Sequence, residues 1–302
     1  MYHVPILLDE IIKTLNIKKD GLYLDGTLGG GGHSEGILNA GGRLIGIDRD
    51  SDAIEECKRR FDKQEFDGRF ALYKDNYKNA KEILKDKKLD GALLDLGISS
   101  HQIDDPSRGM SYRFDSELDM RMDKDAPLTA HDIINSYQED RLLKILFEYG
   151  EERFSKNIVK NILKAREKGG INTTKEFADL VKRSIPNKNK NEAHPEKRAF
   201  QAIRIEVNNE LRGLDKAIKD IFDCLKPGAR LCILSFHSLE HRLVKTVFND
   251  LSAGCICDKN LPQCICTHLP EGKVLKKQIP SKQEILNNSR SASATLRAIE
   301  KI

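Results

Sequence analysis

The sequence predicts an α/β protein in which a doubly wound, Rossmann-like domain is interrupted by a helical insertion. Short apolar segments alternate with amphipathic ones through the first third of the chain, as they do in domains built from strand–helix–strand units. The apolar segments are nearly uninterrupted, which is typical of parallel strands buried on both faces. From about Met110 to Leu225 the pattern is helical alone, and a strand-like segment follows it. The helical stretch is therefore predicted to be an insertion.

The elements of the interrupted domain are predicted in chain order. The segments 'GLYLD', 'GRLIGID', 'RFALYKD' and 'LDGALLDLG' are predicted strands, and 'HSEGILNA', 'SDAIEECKRRF' and 'YKNAKEILKD' are predicted helices. Ser51 is the predicted N-cap of the second of these helices. After the insertion, 'ARLCILSF' is predicted as a fifth buried strand and 'SLEHRLVKTVF' as a helix. The predicted domain boundaries are 1–109 and 206–302 for the interrupted domain and 110–205 for the insertion.

Two kinds of pattern predict helices inside the insertion. Apolar residues keep helical spacing from Leu142 to Tyr149 and again from Phe154 to Ile162. Thr173 and Glu176 have the spacing of a capping box, which marks the start of a further helix. These patterns predict at least three helices before residue 186.

A longer apolar stripe follows the polar loop 'PNKNKNEAHPEK'. Its spacings are three and four throughout, so the stripe predicts one continuous helix. Pro227 and Gly228 are predicted to end that helix, because proline cannot continue it and glycine suits a turn. The members of the stripe are Phe200, Ile203, Val207, Leu211, Leu214, Ile218 and Ile221.

Composition and charge are those of a soluble globular protein, 39% hydrophobic and 32% charged. No apolar run approaches the roughly 18 residues of a membrane span, and Asp9 and Glu10 come too early for a signal peptide. We therefore expect a cytoplasmic protein whose seven cysteines are thiols or metal ligands. The net charge of +4 is mild, but residues 181–204 hold seven Lys or Arg against two Glu. Such a stretch indicates either solvated surface or a polyanionic partner.

The ends of the predicted strands are the place to look for a ligand, because open α/β sheets bind ligands at the carboxyl ends of their strands. Asp25 ends the first strand and is followed by 'GTLGGGGH'. Asp48 ends the second strand, where an acid can accept hydrogen bonds from the hydroxyls of a ribose. Asp25 either caps the glycine turn or supports a ligand indirectly. This arrangement predicts a nucleoside site.

The glycine run does not match the phosphate-binding templates. No start within Gly26–Gly32 gives glycines at i, i+2 and i+5, and Gly32 is followed by His33 rather than by Lys-Ser/Thr. S-adenosylmethionine carries no phosphate, so it requires neither template. A glycine turn for close backbone approach and an acid for the ribose are what it needs. The sequence therefore favours an S-adenosylmethionine-dependent methyltransferase over other nucleotide-binding proteins.

Several long motifs resemble the ribosomal RNA small subunit methyltransferase H family, also called MraW. They are 'DGTLGGGGHS', 'IDRD', 'LLDLGISSHQIDDPSRGMSYRFDSELDMRMD', 'YGEERFSKNI', 'HPEKRAFQAIRIEVNNEL' and 'SFHSLEHRLVK'. The resemblance covers almost the whole chain and implies a Rossmann-like methyltransferase domain with a helical insertion. It implies methyl transfer from S-adenosylmethionine to the exocyclic N4 of a cytidine in the decoding region of 16S rRNA, within the small ribosomal subunit. The cofactor contacts that it implies are Gly31, Gly32, His33, Asp48, Tyr77, Asp95 and Gln102.

Two residues are candidates for the chemistry at the cytosine amine. Many amino-methyltransferases have an Asn/Asp-Pro-Pro-aromatic tetrapeptide after the fourth strand, but this chain has 'DLGI' there. Asp95 stands at that strand end and could contact the cofactor, the amine or both. His237 in 'SFHS' is either a wall of the target pocket or a buried structural histidine.

Basic residues in and beside the insertion are candidates for holding RNA, which makes the insertion the expected substrate domain. Each of them is by itself also explained as a solvated charge or a local ion pair. The candidates are Arg108, Arg113, His194, Lys197, Arg198 and Arg204.

The cysteines form two groups. The segment 'CICDKNLPQCIC' contains two Cys-x-Cys pairs, Cys255 with Cys257 and Cys264 with Cys266, which are either a zinc site or free thiols. Relatives can lack these cysteines, so such a zinc is not expected to be required for activity. Cys57, Cys224 and Cys232 are on apolar faces and are predicted to be core residues.

Two other functions remain open from the sequence. A DNA amino-methyltransferase is disfavoured by the missing Pro-Pro tetrapeptide. A catalytically silent RNA-binding factor for ribosome assembly is disfavoured by the strand-end acids, and measurable cofactor binding would discriminate it.

Overall fold

The computed structural model describes residues 5–186, 194–255, 257 and 265–302. The chain divides into two compact units, Met1–Gly97 with Arg212–Ile302, and Ile98–Leu211. The second unit begins before the predicted insertion of 110–205 and ends after it. Among the described residues, no helix has both the length and the apolar character needed to cross a membrane.

The first unit is built on a seven-stranded sheet. Its strands are β1 (Leu22–Asp25), β2 (Arg43–Asp48), β3 (Phe70–Lys74), β4 (Leu89–Asp95), β5 (Leu225–Ser235), β6 (Gly272–Val274) and β7 (Thr295–Lys301). They are arranged in the order β3-β2-β1-β4-β5-β7-β6. The first five strands pair in parallel, and β7 pairs antiparallel with both β5 and β6. The predicted α/β class and the five predicted strands are confirmed.

The last two strands were not predicted, for a physical reason. In β7, buried and partly exposed residues alternate, and the sequence mixes Thr, Arg, Glu and Lys with apolar residues. The strand β6 has three residues, of which two are exposed. A search for continuous apolar runs finds buried parallel strands and misses half-buried antiparallel ones.

Helices cover this sheet. In the first unit they are α1 (Leu8–Leu15), α2 (Gly32–Asn39), α3 (Ser51–Phe61), α4 (Ala80–Leu84), α11 (Leu214–Asp223), α12 (Ser238–Leu251) and α13 (Lys282–Asn287). Apolar residues of α1, α2 and α3 share one core with residues of β1, β2, β5 and β7. The N-cap of α3 is Asp50, whose side chain accepts a hydrogen bond from Asp52 N, and not the predicted Ser51.

The second unit is helical. Its helices are α5 (Ser100–Asp104), α6 (Ala130–Ser136), α7 (Glu139–Glu148), α8 (Ser155–Arg166), α9 (Thr174–Ser184) and α10 (Glu196–Asn208). The Thr173–Glu176 capping box at the start of α9 is confirmed. Within 98–186 and 194–211, the described part of this unit, the only β-type pairing is one isolated bridge between Glu117 and Thr173.

The prediction of one long helix through residues 200–221 was wrong. Helix α10 ends at Asn208, and Asn209 then adopts a left-handed conformation with φ of 50°. Helix α11 begins at Leu214 after Gly213, which is also left-handed with φ of 74°. Helix α10 belongs to the second unit and α11 to the first, so the apolar residues of the stripe pack into two different cores. Pro227 and Gly228 lie within β5 and do not end the helix.

Candidate cofactor site and active site

Asp25, at the end of β1, ties the glycine loop to helix α2. Its side chain is buried, and Oδ1 accepts a hydrogen bond from Thr27 N at 3.1 Å. Oδ2 accepts one from the hydroxyl of Ser34 at 2.7 Å. Burial raises the pKa of Asp25, and the hydrogen bond from Ser34 opposes this rise. These are the contacts of a residue that caps the loop.

Asp48, at the end of β2, holds the same loop from the neighbouring strand. Its Oδ2 accepts a hydrogen bond from Gly29 N at 2.8 Å, and its Oδ1 accepts one from Asp50 N at 2.9 Å. Burial raises the pKa of Asp48 to about 6. Each carboxylate oxygen has a further lone pair, so the side chain can also accept a hydrogen bond from a ligand hydroxyl.

The glycines of the loop have different surroundings. Gly31 has φ of 74°, and a Cβ on it would lie 2.7 Å from Cys57 Sγ and 2.8 Å from the ring of Phe61. A Cβ on Gly32 would lie 2.9 Å from the ring of Pro5. Packing inside the protein therefore requires a glycine at both positions, and contact of Gly31 or Gly32 with the cofactor stays a prediction.

Gly29 is the glycine with open space beside it, and it was missed at the sequence level. Its φ is 50°, and among the described residues the nearest atom to a Cβ there would be Thr27 O at 3.9 Å. A positive φ and free space on one side are what close approach of a ligand to the backbone requires. The signal in the sequence was only that several glycines occur in a row.

Two side chains of helix α3 hold the backbone of the glycine loop. The thiol of Cys57 donates to Gly29 O at 3.3 Å, and burial raises the pKa of Cys57, which keeps the thiol protonated. Arg60 Nη1 donates to Gly30 O at 2.8 Å, and Arg60 also pairs with Glu35 at 2.6 Å. The glycine run is thus a fixed turn and not a slack linker.

Asp95, at the end of β4, carries the least satisfied carboxylate of this strand edge. Its backbone N–H donates to the Thr27 hydroxyl, and its side chain is 29% exposed. Oδ1 is buried, and among the described residues no group donates a hydrogen bond to it. Burial raises the pKa of Asp95 to about 6, an effect that the charge of nearby His33 opposes. An unpaired buried acceptor is costly until a donor or a proton satisfies it.

His33, in the first turn of α2, faces this carboxylate. Its Nε2 lies 2.9 Å from the carbonyl of Ile6, and since a carbonyl only accepts, Nε2 carries the proton. Its Nδ1 lies 3.6 Å from Asp95 Oδ2, which is an electrostatic contact rather than a hydrogen bond. His33 therefore turns Nδ1 towards Asp95.

His237, the second candidate for catalysis, is the N-cap of α12. Its Nδ1 accepts from Glu240 N at 3.5 Å, and Glu240 Oε2 accepts from Phe236 N at 2.8 Å. The Nε2 of His237 lies 3.2 Å from Glu240 Oε1, and both side chains are nearly buried. These contacts are those of a structural histidine, the alternative that the sequence left open. A catalytic role stays a prediction.

The other two predicted cofactor contacts have structural roles of their own. Tyr77 is buried, and a Cβ on Gly26 would lie 3.0 Å from its Cβ, so the two residues pack closely. Gln102 belongs to the second unit, where its Oε1 accepts from Ser99 N in the capping box of α5. Contact of either residue with a cofactor stays a prediction.

The basic residues of the second unit differ in how accessible they are. Arg108 does not fit its predicted role in RNA binding. It is 2% exposed and its guanidinium donates to the carbonyl of Met122, so it is not available to a phosphate. Arg204 forms two hydrogen bonds of 2.8 Å with Glu210. The remaining candidates lie at or near the surface, with Arg113, His194 and Lys197 exposed and Arg198 half-buried.

The cysteines also divide as the sequence predicted. Cys57, Cys224 and Cys232 are buried, which confirms them as core residues. The sulfur atoms of Cys255, Cys257 and Cys266 all lie within 4.8 Å of one another. Cys264 lies outside the described residues.

The fold and the strand-end site define a Rossmann-like, S-adenosylmethionine-dependent methyltransferase. The residues fit that cofactor, because Gly29 leaves room beside the backbone, Asp48 keeps acceptor capacity and Asp95 Oδ1 needs a donor. The chain belongs to the MraW methylase family, since the sequence model of that family matches residues 1–302.

Similar proteins from several bacteria cover the chain almost completely, and each is named ribosomal RNA small subunit methyltransferase H. The protein of Carboxydothermus hydrogenoformans is 46% identical, over 99% of this chain and 98% of its own. That of Finegoldia magna is also 46% identical with the same coverage. That of Fusobacterium nucleatum is 45% identical, over 100% of this chain and 97% of its own.

Proposed function

We propose that this methyltransferase acts on the exocyclic N4 of a cytidine in the decoding region of 16S rRNA. The names of the relatives support ribosomal RNA of the small subunit as the substrate. The observation that carries the proposal is the carboxylate of Asp95, placed at the end of β4 with one oxygen lacking a donor among the described residues. An amine with two N–H groups is a suitable donor for that oxygen.

The chain's own residues divide the task of holding the cofactor. S-adenosylmethionine supplies an electrophilic methyl group on a positively charged sulfur. Asp48 would accept from the ribose, and the loop at Gly29 would allow the rest of the molecule to lie against the backbone. Tyr77 and Gln102 remain candidates for further contacts.

Asp95 would handle the proton of the amine. The lone pair of a cytosine amine is delocalised into the ring, so an acceptor that holds an N–H makes the nitrogen more nucleophilic. Asp95 would take the amine proton as the N–C bond forms and the bond between the methyl carbon and sulfur breaks, which would leave the cofactor as a neutral thioether. His33 Nδ1, at 3.6 Å from Asp95 Oδ2, stabilises the charged carboxylate if it is protonated and can receive the proton if it is not.

The rate of methyl transfer is expected to depend on pH because of Asp95. The pKa of about 6 means that the carboxyl is protonated below that pH and cannot accept a proton. The single-turnover rate should therefore rise as pH rises through about 6 and become constant above about pH 7. A rate that is flat from about pH 5 to about pH 8 contradicts a proton-accepting role.

Two basic residues at the start of α10, the exposed Lys197 and the half-buried Arg198, would hold the RNA backbone. Replacing Lys197 and Arg198 by alanine should weaken binding to small-subunit RNA, because phosphate contacts release counterions. The slope of log K against log salt should become shallower by about 1.4 to 1.8, at about 0.7 to 0.9 for each lost phosphate contact. Affinity for S-adenosylmethionine should not change.

The matched control is a second Lys-Arg pair, Lys58 and Arg59, both exposed on α3 of the other unit. Their double alanine variant should keep the salt slope of the parent protein. If the Lys197 and Arg198 variant keeps that slope too, these residues do not contact RNA.

Offering labelled S-adenosylmethionine with three substrates separates the proposal from its alternatives. The substrates are small subunits that lack the modification, naked 16S rRNA and duplex DNA. We expect label in RNA. Label in DNA alone would favour a DNA amino-methyltransferase, and cofactor binding without any transfer would favour a silent assembly factor.

A further inference from the structure

We propose that Cys255, Cys257 and Cys266 are ligands of a structural zinc ion, at a site separate from the methyl-transfer chemistry. Cys255 Sγ and Cys266 Sγ lie 3.7 Å apart, and all three sulfur atoms lie within 4.8 Å of one another. With Zn–S bonds of about 2.3 Å, two thiolates of a tetrahedral site are about 3.8 Å apart. The sulfur atoms are therefore spaced as ligands of one ion.

The position of the cysteines in the chain gives the ion a structural task. Cys255 and Cys257 follow the end of α12, and Cys266 precedes β6. Glu271 N donates to Leu251 O at 2.9 Å, so the two ends of the intervening loop are fixed to each other. The described residues of this loop, 252–255, 257 and 265–270, include no helix or strand. A set of metal ligands stabilises a protein most where it closes a long loop.

Among residues 252–255, 257 and 265–270 of this loop, no apolar side chain is buried, so none of them orders the loop by packing. Ile265 and Leu269, on either side of Cys266, are both 77% exposed. A metal ion bound by residues from both arms of the loop provides that order.

The chemistry of the cluster selects zinc. None of the three cysteines is buried, unlike Cys57, Cys224 and Cys232. The backbone N–H of Cys257 donates to Cys255 Sγ at 3.4 Å, a contact that stabilises a thiolate. All-thiolate sites bind zinc or iron–sulfur clusters in preference to Mg²⁺ or Ca²⁺. A sulfur spacing of 3.7 Å fits ligands that share one ion, since the ligands of a cluster surround a larger group of atoms.

The sequence contains a fourth cysteine close to these three. Cys264 forms the second Cys-x-Cys pair with Cys266, and four thiolates close a structural zinc site. Cys264 lies outside the described residues, so the proposal rests on the other three cysteines.

Metal analysis of the full-length protein tests this proposal. The protein is purified under reducing conditions without added metal, and its content of zinc and iron is measured by mass spectrometry. We expect about one zinc per chain, and less than about a tenth of that in the Cys255→Ser, Cys266→Ser double variant. Cys224→Ala, which removes a buried cysteine elsewhere, is the control and should keep its zinc.

A second measurement covers the case in which the double variant does not fold. Thiol titration of the native parent protein should show the loop cysteines as unreactive, and adding a zinc chelator should make them reactive. Metal-free protein with reactive thiols overturns the proposal, as does iron in place of zinc or a disulfide between Cys255 and Cys266. Because the measured quantities are metal and thiols, none of these outcomes depends on the proposed methyl transfer.

Discussion

Replacing Asp95 by asparagine should lower the rate of methyl transfer by about 10²- to 10⁴-fold, the usual contribution of a positioned proton acceptor. Asparagine keeps the shape of the side chain and one acceptor oxygen, but it cannot take a proton. Affinity for S-adenosylmethionine should fall far less than the rate. Single-turnover kinetics and equilibrium cofactor binding measure the two effects separately.

Asp90 is the matched control for this substitution, because it lies on the same strand at the opposite end. Its Oδ2 accepts from Leu22 N and from Lys226 Nζ, and the hydrogen bond from Lys226 helps to hold the pKa of Asp90 below its usual value. Asp90→Asn should therefore reduce stability and leave the rate unchanged. Equal losses of rate and cofactor affinity in Asp95→Asn would contradict a role in proton transfer and would favour cofactor contact alone.

Two alanine substitutions in the glycine loop should have opposite consequences. Gly31→Ala places a Cβ against Cys57 and Phe61 at a left-handed φ, so it should lower the free energy of unfolding by about 3 kcal/mol. Gly29→Ala also places alanine at a left-handed φ, but its Cβ would meet no close neighbour. It should therefore lower the free energy of unfolding by only about 1 kcal/mol. Its methyl group would fill the space beside the backbone, so cofactor affinity should fall by about tenfold or more.

Chemical denaturation and cofactor titration of both variants check these expectations. Gly31→Ala should bind the cofactor nearly normally in whatever fraction remains folded, because its Cβ points into the protein. If Gly29→Ala binds as the parent does and Gly31→Ala does not, the loop presents a different face to the cofactor from the one inferred above.

The strand ends could be predicted from sequence because they depend on local pattern and one topological rule. Asp25, Asp48 and Asp95 each end an apolar run, and parallel strands bring such ends to one edge of the sheet. The structure places all three at that edge. The N-cap of α3 was misplaced by one residue because Asp50 and Ser51 are both good capping residues.

Other features depend on contacts between residues distant in sequence. The periodicity of residues 200–221 contains no sign that Asn209 and Gly213 are left-handed, since apolar spacing ignores backbone conformation. Gly29 and Gly31 are the same residue type, and only the positions of Cys57 and Phe61 distinguish them. Nothing in the sequence around Arg108 indicates that its guanidinium donates to the carbonyl of Met122, so the sequence alone predicts a surface charge.

The proposed reaction of this chain is methylation of the exocyclic nitrogen of a cytidine in small-subunit RNA. The most direct test incubates the protein with labelled S-adenosylmethionine and small subunits that lack the modification, digests the RNA to nucleosides and identifies the labelled one by mass spectrometry. Asp95→Asn serves as the inactive control. We expect N4-methylcytidine from a single site in the decoding region. Label on a uridine, on a ring carbon or on a ribose hydroxyl would contradict it.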